Sequence, residues 1–162
     1  MPNEFVTTSS IQTKKLGEIL AGEVVGGEII CLAGDLGAGK TTFTQGLLKG
    51  LKIKGPYTSP TFTIVKQYNN RAHSIQHGTE KQMLHASCSM IYDIYHIDAY
   101  RIKSKDLLEL GFADFAGKKT SITIIEWPEK VRKIIPSDAL WLKFEWLSEK
   151  ERKITISTKK EL

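Results

Sequence analysis

A glycine-rich stretch carries the residues of this chain that are best suited to chemistry. Residues 34–41 read Gly-Asp-Leu-Gly-Ala-Gly-Lys-Thr. Glycines allow positive φ angles and a close approach of the backbone to an anion, and successive N–H groups at a helix start attract phosphate oxygens. Lys40 supplies a positive charge for the β- and γ-phosphates, and the Thr41 hydroxyl is a hard oxygen ligand for Mg²⁺. The pattern therefore predicts a site for ATP and Mg²⁺. Its nucleotide contacts are expected from the loop and the turn after it, namely Asp35, Leu36, Gly37, Ala38, Gly39, Lys40, Thr41 and Thr42.

Two acidic residues follow apolar runs that are typical of strands. A phosphate-binding loop of this kind normally works with an acidic residue at the end of a neighbouring strand, which holds Mg²⁺ directly or through water. Asp98 follows residues 94–97, and Glu126 follows residues 122–125. The spacing alone does not choose between these two carboxylates.

The elements on both sides of the loop fit this interpretation. Residues 28–33, which are apolar after Glu28, predict a short buried strand, and residues 41–51 predict a helix. The core candidates of that helix are its large apolar residues Phe43, Leu47, Leu48 and Leu51. A strand, a glycine-rich loop and a helix in this order are the context that such a loop requires.

An earlier helix is predicted from a start signal near the N-terminus. Ser9 and Gln12 have the spacing of a capping box, in which each side chain bonds to a backbone N–H of the first turn. The apolar face of this helix is expected to consist of Ile11, Leu16, Ile19 and Leu20.

The rest of the chain alternates predicted strands with short helices. Strands are predicted over 62–68, 91–97, 121–125, 140–146 and 153–157, the last two forming a hairpin. Short helices are predicted over 105–115 and 128–135, with Leu107, Leu108 and Leu110 facing inward. Residues 69–90 have no clear period and predict an inserted or mobile loop. We therefore expect a single domain over residues 1–162. Its fold should be P-loop NTPase-like, a three-layer α/β/α arrangement with a mixed parallel/antiparallel central sheet.

Composition places the chain among ordinary globular proteins. It has 162 residues, of which 41% are hydrophobic and 25% charged. No apolar run approaches the roughly 20 residues that a bilayer span requires, and the first residues lack the pattern of a secretory signal. We therefore expect a cytoplasmic protein. The net charge of +5 is compatible with RNA or acidic partners but discriminates little. Cys31 lies in an apolar run and predicts a buried thiol.

Four motifs together resemble the TsaE family, formerly called YjeE. They are the glycine-rich stretch 34–43, Ser-Pro-Thr-Phe at 59–62, Tyr-His-Ile-Asp-Ala-Tyr-Arg at 95–101 and Glu-Trp-Pro at 126–128. The resemblance covers roughly residues 9–157, and a generic phosphate-binding loop protein would not share all four motifs. This family is the small bacterial ATPase of tRNA threonylcarbamoyladenosine synthesis, so the resemblance implies an ATPase of modest intrinsic rate.

The same resemblance implies roles for individual residues. Lys40 and Thr41 keep their phosphate and magnesium roles, and Glu126 is similar to the family's second magnesium residue. Asp98 matches the family's essential aspartate near the γ-phosphate, where it orients or deprotonates the attacking water. Thr61 lies in a segment that resembles a switch region placed to sense the γ-phosphate.

Five further residues are given expected roles, two from the resemblance and three from their sequence context. Ser10 and Lys150 occupy positions similar to those that flank the adenine in the family. Trp127 is interpreted as a core residue, and Tyr100 as a packed aromatic residue. His96 alternates with its neighbours along a predicted strand, which favours a structural histidine with satisfied hydrogen bonds.

The predicted loop 69–90 is longer than the usual connection in the family. It contains His73, His77, His85 and Cys88, and histidines four residues apart can share a helical face and bind zinc. No close Cys-x-x-Cys or His-Glu-x-x-His pairing is present, so a lineage-specific loop without metal is the favoured interpretation.

The resemblance implies TsaB and TsaD as protein partners, tRNA only indirectly through their complex, and no membrane. The chain would support the modification by TsaD of adenosine 37 in tRNAs that read codons starting with A. Two alternatives stay open, namely a P-loop kinase of small molecules or nucleosides and a nucleotide-dependent binding module without catalysis. Direct RNA binding through basic residues is a third and weaker hypothesis.

Overall fold

A seven-stranded sheet organises the described part of the chain. The computed structural model describes residues 3–60, 63–69 and 92–158. Its strands are β1 (Asn3–Thr7), β2 (Ile29–Ala33), β3 (Val65–Asn69), β4 (Asp93–Asp98), β5 (Ser121–Glu126), β6 (Leu140–Trp146) and β7 (Arg152–Thr158). The helices are α1 (Ser10–Ala21), α2 (Lys40–Gly50), α3 (Ser104–Glu109) and α4 (Phe112–Phe115), together with a 3-10 helix (Pro128–Ile134).

The strand order is β1-β7-β6-β2-β5-β4-β3. The four central strands β6, β2, β5 and β4 run parallel, while β7, β1 and β3 pair antiparallel at the two edges. This confirms the predicted α/β fold with a mixed sheet. The parallel centre is buried on both faces, which explains why β2 and β5 read as nearly continuous apolar runs.

Alternate residues of the central strands enter two separate cores. Ile30 and Leu32 of β2 face α1 and α2, and their core contains the predicted residues Phe43, Leu47, Leu48 and Leu51. Cys31 faces the other side, where α3, α4 and the 3-10 helix pack, and it is buried as predicted. The sheet therefore lies between two helical layers, and its carboxyl edge is free to carry polar side chains.

Helices α1 and α2 pack with their backbones in close contact. A Cβ atom added to Gly17 would clash with the carbonyl oxygen of Phe43 and lie 2.7 Å from the amide nitrogen of Leu47. A Cβ atom added to Gly46 would clash with the carbonyl oxygen of Lys14. Glycine at these two positions is therefore what allows the helices to approach so closely.

This close packing corrects the predicted apolar face of α1. Ile11 and Ile19 are 77% and 59% exposed, and only Leu16 and Leu20 of the expected face are partly buried. The buried residues of α1 are Thr13, Gly17 and Ala21. The prediction was wrong because large side chains cannot enter so narrow a helix contact, so the small residues define the buried face.

The start of α1 follows the predicted capping signal with one change. The Ser9 hydroxyl accepts a hydrogen bond from the backbone N–H of Gln12 at 3.2 Å. The Gln12 side chain accepts from the backbone N–H of Thr8 at 2.7 Å rather than from that of Ser9. Both polar side chains therefore satisfy backbone donors near the first turn, which holds residues 8–10 in place.

Other predicted elements are present, and some of them differ in burial from the prediction. Residues 105–115 form two short helices, in which Leu107 is fully buried while Leu108 and Leu110 are about half exposed, because so short a helix buries only one side. The terminal hairpin forms as predicted. Strand β1 was missed, because most of its residues are exposed at the sheet edge and show no burial pattern.

Some predictions fall outside the described residues. These are most of the loop 69–90, its suggested zinc ligands and Thr61. Across the described helices, none combines the length and the hydropathy that a bilayer crossing needs.

Candidate functional site

The glycine-rich loop joins the end of β2 to the start of α2 at the carboxyl edge of the sheet. Gly34, Gly37 and Gly39 have φ angles of 141°, 78° and 104°, a region that other residues rarely adopt. A Cβ atom at Gly34 would also clash with the backbone oxygen of Phe144. Leu36 stands at the tip of the loop and is 91% exposed. The loop thus has the backbone conformation that the sequence pattern requires, and its tip is open to a ligand.

Lys40 lies at the first position of α2 and is almost fully buried. Its ammonium donates to the carbonyl oxygens of Gly34 at 2.5 Å and Asp35 at 2.9 Å. The Trp127 ring centroid lies 3.9 Å from the same nitrogen, a cation–π contact. Burial lowers the pKa of Lys40, and the nearby carboxylates, Glu126 foremost, act in the opposite direction. The Lys40 side chain thus lies at the mouth of the loop, between backbone oxygens and an aromatic ring.

The two predicted carboxylates lie side by side. Asp98 and Glu126 end the adjacent parallel strands β4 and β5 and are partners in the register of the sheet. Both are more than nine-tenths buried. The Thr41 hydroxyl donates to Glu126 Oε2 at 3.1 Å, and Asp98 Oδ1 accepts from the backbone N–H of Tyr100 at 3.0 Å. Glu126 is therefore the acidic residue that contacts the threonine of the loop.

These groups line a cleft of about 280 Å³, here called the first cleft. Its lining residues are Leu36, Gly37, Gly39, Lys40, Thr41, Thr42, Ser59, Asp98, Tyr100, Glu126 and Trp127. The Thr41 hydroxyl and the Glu126 carboxylate are hard oxygen donors and already in contact, which suits Mg²⁺. No cluster of three or more His, Cys, Asp or Glu residues that could hold a metal occurs in the described part of the chain.

A second cleft opens on the other side of the loop and has a volume of about 350 Å³. It is lined by Thr8, Ser9, Ser10, Thr13, Gly37, Gly39, Thr42, Glu149, Lys150 and Arg152. The two clefts share Gly37, Gly39 and Thr42. Ser10 and Lys150, which were assigned to the adenine only by resemblance, thus lie on one depression next to the loop.

Three residues of the clefts have a different position from the one expected, or were not expected at all. Trp127 is only partly buried, has a φ angle of 60° and faces Lys40, so it is not simply a core residue. Tyr100 is 52% exposed, and its ring centroid lies 4.9 Å from that of Trp127. Arg152 donates to the carbonyl oxygen of Gly37 at 3.3 Å, and no sequence signal marked it because the contact spans distant parts of the chain.

His96 lies on β4 within hydrogen-bond distance of Glu126. Its Nε2 atom is 2.9 Å from Glu126 Oε1, and the side chain is almost completely buried. Its Nδ1 atom has no hydrogen-bond partner among the described residues. The expectation of a buried histidine with satisfied hydrogen bonds is therefore half correct.

Comparison with known proteins gives one consistent result. A family model described as "Threonylcarbamoyl adenosine biosynthesis protein TsaE" matches residues 7–154. The tRNA threonylcarbamoyladenosine biosynthesis protein TsaE of Aquifex aeolicus is 37% identical over 158 residues, which is 96% of each chain. The protein of the same name from Bacillus subtilis is 30% identical over 151 residues, covering 93% of this chain and 82% of the relative.

A solved structure is similar over almost the whole chain. The crystal structure of Bacillus subtilis YdiB superposes with a TM-score of 0.73 at 27% identity, covering 98% of this chain and 86% of that chain. The family match spans both clefts, from the first residues before α1 to the middle of β7. This chain belongs to the TsaE family.

Proposed function

We propose that this chain is a P-loop ATPase that binds ATP with Mg²⁺ and supports the threonylcarbamoyl modification of adenosine 37 in tRNA. It would act together with TsaB and TsaD, on tRNAs that read codons starting with A. The relatives' names supply the pathway, since each describes a protein of tRNA threonylcarbamoyladenosine biosynthesis. The glycine-rich loop and its surroundings supply the nucleotide part of the proposal.

The observation that carries the proposal is the contact between Thr41 and Glu126. These residues are 85 positions apart, yet the hydroxyl donates to the carboxylate at 3.1 Å beside the loop. A buried carboxylate is costly unless a cation or hydrogen bonds compensate for it. Glu126 is 3% exposed and lies near Lys40, so a Mg²⁺–phosphate group would fit between charges that are already arranged.

Each residue of the first cleft would have its own role toward the phosphates, the Mg²⁺ or the attacking water. Lys40 would exchange the carbonyl oxygens of Gly34 and Asp35 for phosphate oxygens, which are stronger acceptors because they are charged. Thr41 and Glu126 would hold Mg²⁺, which when bound neutralises charge on the phosphates. Asp98 lines the same cleft and would orient the attacking water or accept its proton.

The second cleft would receive the adenosine part of the nucleotide. Ser10 and Lys150 line it, and it adjoins the first cleft through Gly37 and Gly39. Thr61 remains a prediction for sensing the γ-phosphate. Ser59, two residues earlier in the chain, lines the first cleft.

The test combines binding and turnover. Titration with Mg²⁺–ATP should give measurable heat and thermal protection, and ATP turnover should rise when the TsaB–TsaD pair is added. Binding without turnover even in the presence of both partners would favour the non-catalytic binding module. Transfer of labelled phosphate from ATP to a nucleoside would favour the kinase. An absence of heat and of thermal protection would overturn the proposal altogether.

The pathway requires its own experiment. Depletion of the protein in cells should lower the fraction of adenosine 37 that carries the threonylcarbamoyl group in bulk tRNA. Unchanged levels after depletion would remove the chain from this pathway, whatever its activity on ATP.

A further inference from the structure

One buried side chain next to the first cleft has no role in the mechanism above. His96 is 1% exposed and lies on β4, two residues before Asp98. Because Asp98 pairs with Glu126 in the register, His96 is a diagonal neighbour of Glu126 on the same face of the sheet. Its Nε2 atom lies 2.9 Å from Glu126 Oε1.

The direction of the hydrogen bond follows from the charge of Glu126. An ionised carboxylate only accepts hydrogen bonds, so with Glu126 ionised the imidazole Nε2 carries the proton and donates it to Glu126 Oε1. The Thr41 hydroxyl lies 3.1 Å from the other carboxylate oxygen, Oε2, and 3.4 Å from Oε1. Glu126 is thus held from two sides, by the sheet through His96 and by helix α2 through Thr41.

Packing alone does not account for a histidine at this position. The neighbours Ile94 on the same strand and Ile124 on the next are completely buried, so the surroundings would accept an aliphatic side chain. His96 Nδ1 has no hydrogen-bond partner in the described residues, and a buried polar atom without a partner costs stability. The bond to Glu126 is the visible compensation for that cost.

We propose that His96 is a positioning residue that orients Glu126 for Mg²⁺, acting through its hydrogen bond to Oε1. Oε1 is 2.9 Å from the imidazole, and Oε2 is the nearer of the two carboxylate oxygens to the Thr41 hydroxyl. Partners of metal ligands typically change metal affinity by about 10- to 100-fold when they are removed. This inference rests on the proposed Mg²⁺–nucleotide site and assigns His96 no contact with the nucleotide.

The experiment measures ADP affinity as a function of Mg²⁺ concentration and, separately, in EDTA. His96→Leu should need about 10- to 100-fold more Mg²⁺ to reach its tightest ADP binding, while its affinity in EDTA stays at the wild-type value. His96→Gln keeps an N–H donor near the position of Nε2 and should recover most of the Mg²⁺ response. Ile94→Val is the matched control, since it loosens the same buried face without touching Glu126 and should respond to Mg²⁺ like the wild type.

The outcomes separate this inference from the proposed function. A wild-type Mg²⁺ response in folded His96→Leu, or an equal loss in His96→Leu and Ile94→Val, would overturn the role of His96 and leave the ATP site intact. A wild-type protein whose ADP binding ignores Mg²⁺ would overturn both proposals.

A measurement on the unmutated protein covers the case in which His96→Leu does not fold. Nitrogen-15 spectra of histidine-labelled protein should show a protonated Nε2 for His96 whose shift changes when Mg²⁺ is added to the ADP complex. A His96 protonated only at Nδ1 would contradict the inference directly.

Discussion

The two clefts beside the glycine-rich loop are built in different ways. The first cleft takes its carboxylates from the ends of adjacent parallel strands, and these groups are buried and hydrogen-bonded. Apart from the loop residues that both clefts share, the second cleft is lined mainly by residues 8–10 and by the turn between β6 and β7. These two segments meet because β1 pairs with β7 at the edge of the sheet. The carboxylates of the first cleft are therefore positioned by the centre of the sheet. The second cleft, which is proposed to recognise the base, is positioned by the edge of the sheet.

The largest effect is expected in the first cleft. Loss of one of its charged side chains should weaken the binding of every ligand that carries phosphate. Lys40→Ala should abolish ATP turnover and weaken binding of both ATP and tripolyphosphate by about 100-fold or more, since hydrogen bonds between charged groups are worth roughly 3 kcal/mol. Calorimetry with both ligands measures the effect. Lys49→Ala, on the exposed side of the same helix, is the control. Comparable ATP binding by Lys40→Ala and the wild type would contradict the site.

The next expected effect separates binding from chemistry within the first cleft. Asp98→Ala should bind ATP almost as well as the wild type and lower turnover by about 100- to 10,000-fold, the range typical of a lost acid–base group. Turnover assays with the TsaB–TsaD pair measure the rate of hydrolysis, and titration of ATP measures its affinity. Normal hydrolysis by Asp98→Ala would show that the role given to this residue is wrong.

A substitution in the contact between α1 and α2 tests the second cleft indirectly. Gly17→Ala introduces a Cβ atom against the backbone of α2 and should lower the free energy of unfolding by about 1–3 kcal/mol. Because α1 begins at Ser10, its displacement should weaken binding of ATP more than binding of tripolyphosphate. Denaturant unfolding measures the first effect, and Lys15→Ala on the exposed face of α1 should change stability by about 0.5 kcal/mol or less. Equal stability of Gly17→Ala and the wild type would contradict the close packing.

The smallest expected effect lies in the second cleft. Lys150→Ala should weaken ATP binding by less than about tenfold, as expected for one exposed polar contact. Binding of tripolyphosphate should remain unchanged, since this ligand has no adenosine to occupy the second cleft. Competition titrations with ATP and tripolyphosphate measure the ratio of their affinities. A parallel loss for both would mean that Lys150 contacts phosphate and that the division between the clefts is incorrect.

The sequence was informative where chemistry depends on short segments. The glycine-rich loop and the two strand-end carboxylates were predictable, because each is specified by neighbouring residues, and parallel strands bring their ends to one edge. Spacing alone did not choose between the two carboxylates. The choice needed the strand order, in which β5 lies directly beside β2, the strand that leads into the loop.

Sequence patterns failed where contacts depend on distant parts of the chain. Ile11 and Ile19 were assigned to the core by their spacing, but the glycine contact between α1 and α2 excludes large side chains. The contacts of Trp127 with Lys40 and of Arg152 with Gly37 join segments 87 and 115 residues apart, so no local pattern marks them.

The bonds from Lys40 to the carbonyl oxygens of Gly34 and Asp35 connect the two ends of the glycine-rich loop. The ammonium holds the first residues of the loop against the start of helix α2, in addition to the connection along the chain. Removal of this ammonium therefore removes an internal tether as well as a charge. The loss of ligand binding expected for Lys40→Ala accordingly contains a contribution from the shape of the loop.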